Sequence, residues 1–185
     1  MTAAMGSSVA AEVVGVAARP RQRPLWRMLP LVTAPVLALD QLSKVYVSSH
    51  LRMFQAVAVI RGWLDITYTL NPGAAFSLFA TMPPAFRGVF FIALSVIAIV
   101  VLIALLARRL TPLDSAIAFA LILGGTVGNL IDRIARGEVI DFIYFHHESF
   151  SYPVFNIADS AITIGVAIIL IGSLFERPRE PKAPV

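Results

Sequence analysis

Three aspartates, Asp132, Asp141 and Asp159, fall within the stretch GGTVGNLIDRIARGEVIDFIYFHHESFSYPVFNIAD, which runs from Gly124 to Asp159. Asn129 and Asn156 stand close to two of them, and apolar runs of membrane grade flank the whole. Carboxylates at such places are costly, roughly 2.5–3.5 kcal/mol each near a bilayer centre, so acids held there point to a working site. Two carboxylates brought together where water is scarce do not both ionise, and one keeps its proton. The charged member can draw a proton from a bound water while the neutral one donates to a carbonyl oxygen. This division of labour hydrolyses a peptide bond without a covalent intermediate, and a low dielectric strengthens each step.

Other chemistries have little support. Zero cysteines exclude disulfides, thiolate nucleophiles and thiolate metal sites. No serine stands in a nucleophile motif, and no Gly-rich phosphate loop is present. His146-His147, near Asp141 and Glu148, raises zinc, but adjacent histidines fit neither the HExxH spacing nor one helix face. They read as loop histidines at the bilayer edge, so no metal or cofactor is expected. Spacing leaves the identity of the acid pair open. Asp159 must lie near the membrane interface, whereas Asp40, Asp132 and Asp141 compete for the second place. Asp132 precedes Arg133 and is expected to form an ion pair with it. Asn156 is placed to cap a helix, with Asp159 three residues on in its first turn.

The elements that must carry these groups follow from hydropathy. A hydrophobic fraction of 58%, only 14% charged residues and a mean hydropathy of +0.81 mark an integral membrane protein. A net charge of +4 fits the placement of Lys and Arg at membrane flanks better than nucleic-acid binding, which is not expected. Residues 1–25 read as a mobile tail. Met28–Val47 is a first span only if Asp40 and Lys44 enter its last turns; they stand four apart on one helix face, acid before base. That pair reads equally as a structural ion pair at a helix end. Pro30 and Pro35 are placed to kink the helix. Gln55–Ile60 and Trp63–Leu70 are rich in Val, Ile, Thr and aromatics and predict short strands. Gly88–Ala107, Ser115–Ile131 and Ile157–Phe175 complete four spans, and 176–185 form a charged tail. Gly124 and Gly128 make a small-xxx-small step suited to close helix packing.

Basic residues orient the chain. With both termini cytoplasmic, that side holds Arg19, Arg21, Arg23, Arg27, Arg108, Arg109 and the C-terminal cations. Asp40, Asn71, Asn129, Asp132 and Asp159 then all fall toward the outer leaflet, although they come from distant parts of the chain.

Five ordered blocks carry a resemblance. Leu39-Asp40-Gln41-Leu42-Ser43-Lys44, Asn71-Pro72-Gly73-Ala74-Ala75-Phe76, Gly124 to Arg133, Val139-Ile140-Asp141-Phe142 and Phe155-Asn156-Ile157-Ala158-Asp159 resemble the motifs of bacterial lipoprotein signal peptidase (signal peptidase II). Pro72 and Ile140 are small departures, and neither changes a polar group. The resemblance implies a membrane all-α fold over 26–175, with four transmembrane helices, an extracytoplasmic β-cradle at about 48–80 and a short surface helix near the second span. It implies an aspartic endopeptidase that cuts diacylglyceryl-modified prolipoproteins just before the lipidated cysteine. By the same matching Asp141 and Asp159 would be catalytic. Asp40, Lys44, Asn71, Gly73, Asn129, Arg133, Asn156 and Ala158 would shape the site or hold substrate, with Asp132 in support. Membrane lipid and the cyclic-peptide inhibitor globomycin are expected ligands, a monomer the expected state, and the bacterial inner membrane the expected location. Phe142–Val154, rich in aromatics, reads as a loop that suits an interfacial gate or an ordinary aromatic belt. The competing function is a small proton-coupled transporter or channel component, which would spread its acids along the depth of several helices; here they gather at one end.

Overall fold

The computed structural model describes residues 28–73, 83–107 and 113–175. The two expected tails, the Ala74-Ala75-Phe76 end of the second block, the expected surface helix and the Arg108-Arg109 turn lie outside the described residues. Within them the order is α1 (Ala34–His50), β1 (Ala56–Ile60), β2 (Leu64–Asn71), α2 (Pro84–Leu106), α3 (Leu113–Arg136), β3 (Val139–His147), β4 (Phe150–Ser151) and α4 (Ile157–Phe175).

Three of these helices are long and apolar enough to cross a membrane: Phe86–Leu106, Ser115–Arg136 and Ile157–Phe175. The first expected span does form a helix, but α1 stays outside that set. It has 17 residues and holds Asp40 and Lys44 in its middle. A π-helical turn, Leu29–Thr33, leads into it, and the Ala34 N–H bonds to the Leu29 carbonyl. Pro30 lies inside this turn and Pro35 just beyond it, and neither can donate to the ordinary helical ladder, which accounts for the local widening.

Helix α3 is the hub and packs on α1, α2 and α4. Its glycines make this possible. Gly124 faces Val36 and the Thr33 carbonyl of the π-helical turn, Gly125 faces the Ala158 carbonyl of α4, and Gly128 faces the Asp40 carboxylate. The Gly124–Gly128 step predicted from the sequence therefore faces the α1 side, and Gly125 within it brings α4 into close contact. Thr33 Oγ1 also donates to the Ala120 carbonyl at 2.9 Å.

The strands form one antiparallel sheet in the order β1-β2-β3-β4. Phe142–Val154, read from sequence as an interfacial loop, is largely strand: β3 turns at Glu148-Ser149 into β4. The β-branched and aromatic residues of Val139–Phe145 suit a strand better than a loop. Gly137 makes the sharp exit from α3 possible. Its φ of +80° is left-handed, and its N–H closes on the Arg133 carbonyl at 3.0 Å, so β3 can begin two residues later. Val47, Ile140 and Phe142 form a buried cluster where α1 meets the sheet.

Candidate active site

Two backbone features bring the two ends of the Asp141–Asp159 stretch together. Thr69 pairs with Asp141 across β2 and β3, and its hydroxyl donates to the Asp141 carbonyl at 3.0 Å. Farther along, Phe155 bridges Ile143, with N–H···O distances of 2.8 and 3.0 Å. That bridge ends one residue before α4 begins, so Asn156 and the first turn of the helix arrive beside Asp141.

Asn156 then performs two tasks. Its Oδ1 accepts the Asp159 N–H at 2.9 Å, and its own N–H donates to Asp159 Oδ2 at 3.3 Å, a reciprocal box at the helix start. Its Nδ2 donates to Asp141 Oδ1 at 2.7 Å and also faces Asn129 Oδ1 and the Ile140 carbonyl, each at 3.2 Å. Two hydrogens serve three acceptors, so one is shared. The remaining carboxylate oxygens have amide partners of their own. Asn71 Nδ2 donates to Asp141 Oδ2 at 2.9 Å, and Asn129 Nδ2 donates to Asp159 Oδ1 at 2.8 Å. Asn71 is in turn held by the Gly73 N–H on its Oδ1 at 3.0 Å.

Carboxamides satisfy carboxylates without neutralising them. Burial therefore pushes Asp141 up to about 7, and the neighbouring Asp159 charge adds to the rise, while the Asn71 and Asn156 hydrogen bonds oppose it. The site thus holds two acids close enough to feel one another, in surroundings where one of them retains a proton near neutrality.

Beneath this pair lies a buried ionic cluster. Lys44 Nζ donates to Asp40 Oδ2 at 2.8 Å, Asp132 Oδ2 at 2.9 Å and Asn129 Oδ1 at 2.9 Å. Asp40 Oδ1 accepts the Ala158 N–H at 2.9 Å, a second cap on the start of α4. Asp132 Oδ1 pairs with Arg136 at 2.9 Å, and its Oδ2 also accepts the Ile140 N–H at 3.3 Å. Asp40, Lys44 and Asp132 are fully buried. The expected pairing of Asp132 with Arg133 is not the one that forms. Adjacent helical residues point about a quarter-turn or more apart, whereas Asp132 and Arg136, four apart, share a face. Arg133 turns instead to the Gly73 carbonyl at 3.2 Å and lies over the Phe91 ring at 5.1 Å.

Every residue predicted for the site thus has a place in or under one cluster, and it is Asp141, not Asp40 or Asp132, that shares Asn156 with Asp159. Sequence reasoning passed over Gln41, whose Nε2 holds Asp40 Oδ2 and the Gly128 carbonyl, each at 3.1 Å. It also passed over Arg136, although the acid-before-base spacing that singled out Asp40 and Lys44 recurs there. The two histidines take separate partners: His146 Nε2 lies 3.1 Å from Asp65 Oδ2, while His147 stacks on Trp63. A cavity of about 510 Å³ opens beside Asp159, between the aromatic face of Trp63, Phe145, Tyr152 and Phe155 and the α4 residues Thr163 and Ile164.

Known proteins resemble this chain over most of its length. The family model for signal peptidase (SPase) II matches residues 32–175. The lipoprotein signal peptidase of Syntrophus aciditrophicus is 44% identical over 86% of this chain and 98% of its own. That of Geobacter sulfurreducens is 42% identical over 88% of this chain and 99% of its own. A bacterial membrane enzyme solved by the in meso method at 2.3 Å resolution superposes with a TM-score of 0.74 at 30% identity, covering 86% of this chain and 94% of that one. With three helices able to cross a membrane, a small antiparallel sheet and this match over most of its length, the chain is a multi-pass membrane peptidase and belongs to the signal peptidase II family.

Proposed function

We propose that this chain is an aspartic intramembrane endopeptidase that removes the signal peptide from diacylglyceryl-modified prolipoproteins, cutting just before the lipid-modified cysteine. The observation that carries the reading is the joint hold of Asn156 on Asp141 and Asp159. One carboxylate removes a proton from a water placed between the two, and the resulting hydroxide adds to the scissile carbonyl carbon. The protonated partner gives its hydrogen to the carbonyl oxygen. Collapse of the tetrahedral adduct breaks the C–N bond, and a proton returns to the leaving amine. The pair titrates as a unit, so neither residue is permanently the acid.

Substrate class follows from the surroundings. The cavity beside Asp159 is walled largely by aromatic and aliphatic side chains, and its volume lies in the range of small-molecule sites, which suits an apolar portion of a lipidated substrate. The sheet forms a cradle over one side of the site and supports an extended peptide. Helix α1, with its π-helical lead-in, is the fourth span of the 26–175 domain. It buries Asp40 and Lys44 inward and exposes Leu39, Leu42, Val45 and Tyr46 outward, an inside-out pattern that suits lipid contact. Four spans leave both termini cytoplasmic and the dyad at the outer face of the bacterial inner membrane, where the substrate arrives by lateral diffusion. The enzyme acts as a monomer without a metal or cofactor, and globomycin competes for the site.

The deciding experiment is cleavage of a lipidated prolipoprotein peptide in detergent by Asp141→Asn and Asp159→Asn. Each variant should lose roughly a thousandfold in turnover while unfolding cooperatively. Near wild-type turnover in either one overturns the assignment.

A further inference from the structure

We propose that Lys44 is a positioning residue for the dyad: it fixes the direction of the Asn129 carboxamide, so that the amide hydrogens, not the oxygen, face Asp159. This inference rests on the Asp141–Asp159 reading above and adds a residue that touches neither acid in that pair.

The geometry is specific. A carboxamide is nearly symmetric in shape, so its two ends are told apart only by their partners. At Asn129 the oxygen faces Lys44 Nζ at 2.9 Å and Asn156 Nδ2 at 3.2 Å, while the nitrogen faces Asp159 Oδ1 at 2.8 Å. Reversal would set two donors against Nδ2 and oxygen against carboxylate. Of the two donors holding the oxygen, Asn156 Nδ2 is already divided among three acceptors. Lys44 is charged, closer and not divided: its three hydrogens match Asp40, Asp132 and Asn129 one for one. Asp40 and Asp132 therefore act through Lys44. They pair with an ammonium that is buried away from water.

The chemical consequence is a one-way line of donors, Lys44 to Asn129 to Asp159. The ionised form of the dyad gains a donated hydrogen bond whose direction is set 85 residues away in sequence. Free rotation of Asn129 would remove that donor from the charged pair for part of the time. It would also loosen Asn156, which leans on the same oxygen.

Removing Lys44 alone would strand buried carboxylates, so the test starts from Asp132→Asn, in which the loss of the ammonium is matched by the loss of one carboxylate. Within it, Lys44→Met and Lys44→Gln are compared. Both lack the ammonium, and the other charges near the dyad are constant between them: Asp40 of α1, Arg133 and Arg136 of α3. They differ in one respect, since Gln supplies a neutral N–H donor toward Asn129 and Met does not. Relative to the Gln variant, the Met variant should turn over a lipidated peptide about ten- to a hundredfold more slowly, the scale of one hydrogen bond to a charged group. The acid limb of its pH–rate profile should move upward by about one unit. Equal turnover and coincident profiles overturn the proposal. If the Met variant does not unfold cooperatively, wild-type protein decides. The side-chain amide ¹⁵N and ¹H resonances of Asn129 should move with the titration of the dyad between pH 5 and 9, and resonances that stay fixed overturn it. Failure here with inactive Asp141→Asn and Asp159→Asn variants sinks only the role of Lys44. Active aspartate variants sink the dyad itself.

Discussion

Asn156 donates to Asp141 Oδ1 at 2.7 Å through Nδ2 and accepts the Asp159 N–H at 2.9 Å through Oδ1, so one carboxamide ties a strand acid to a helix acid. The two halves of that side chain do different work. The oxygen caps α4, and the nitrogen restrains Asp141.

Substitution can separate them. In Asn156→Ser the hydroxyl still caps the Asp159 N–H but no longer reaches Asp141, whereas Asn156→Ala loses both. The alanine variant should lose about 1 kcal/mol of stability, the usual worth of a cap, and the serine variant much less. Turnover should fall at least tenfold in both. Thermal unfolding and peptide cleavage on the same preparations check the pattern. Serine-level activity equal to wild type would mean that the amide nitrogen is idle.

A second prediction concerns pH. Burial raises Asp141 from 3.8 to about 7, so the folded state binds a proton through that window that the unfolded state has released. A carboxyl raised in this way contributes stability that is full below about 4 and lost as pH rises through about 7. The melting temperature in detergent should therefore decline between pH 5 and 8, and Asp141→Asn should flatten the decline by a few degrees. For the same reason kcat/KM of the wild type should fall above about pH 7, where the pair loses its last shared proton. An Asp141→Asn melting curve with the wild-type slope would count against the shift.

Much of this site was legible before any fold was known, because acids and amides in apolar sequence are conspicuous. The capping role of Asn156 and the Asp40–Lys44 pair follow from spacing alone, since helical geometry is local. The choice of Asp141 over Asp132 is not local. It depends on the Thr69–Asp141 register and the Ile143–Phe155 bridge, which pattern rules do not encode. Phe142–Val154 misled for a related reason. Aromatics at a membrane edge look alike in a belt, a loop or a strand, and only pairing with β2 distinguishes them. Asp132 and Arg133 are neighbours in sequence but not on one helix face, so the ion pair expected between them does not form.

Arg133 supplies the third prediction. Its guanidinium holds the Gly73 carbonyl at 3.2 Å and covers Phe91, which fixes the turn that carries Asn71. A lysine keeps the charge but not the flat fork that stacks on a ring and reaches a carbonyl at once. Arg133→Lys should therefore lower kcat/KM about tenfold while the melting temperature changes by only a few degrees. Turnover at the wild-type level would show that charge alone suffices.

The glycines of α3 and α4 give the last prediction, and it tests packing without removing a polar group. A Cβ at Gly125 would run into the Ala158 carbonyl, which is backbone at the very turn that carries Asp159 and cannot step aside. At Gly128 it would come within 2.5 Å of Asp40 Oδ2, a carboxylate already committed to Lys44 and Gln41. At Gly172, near the far end of α4, it would meet nothing within 4 Å. Alanine at the first two positions must push α3 away from α4 or α1 and should cost about 1–3 kcal/mol, the range for overpacked interiors. Alanine at Gly172 should instead be neutral or stabilise by up to about 1 kcal/mol, because it is the better helix former. Gly125→Ala should also lose cleavage more steeply than stability, since any shift of the Ala158 turn moves Asp159 relative to Asp141, whereas Gly172→Ala lies too far along α4 to do so. Equal melting temperatures for Gly125→Ala and Gly172→Ala would mean that α3 and α4 are not in the close contact on which the position of Asp159 depends.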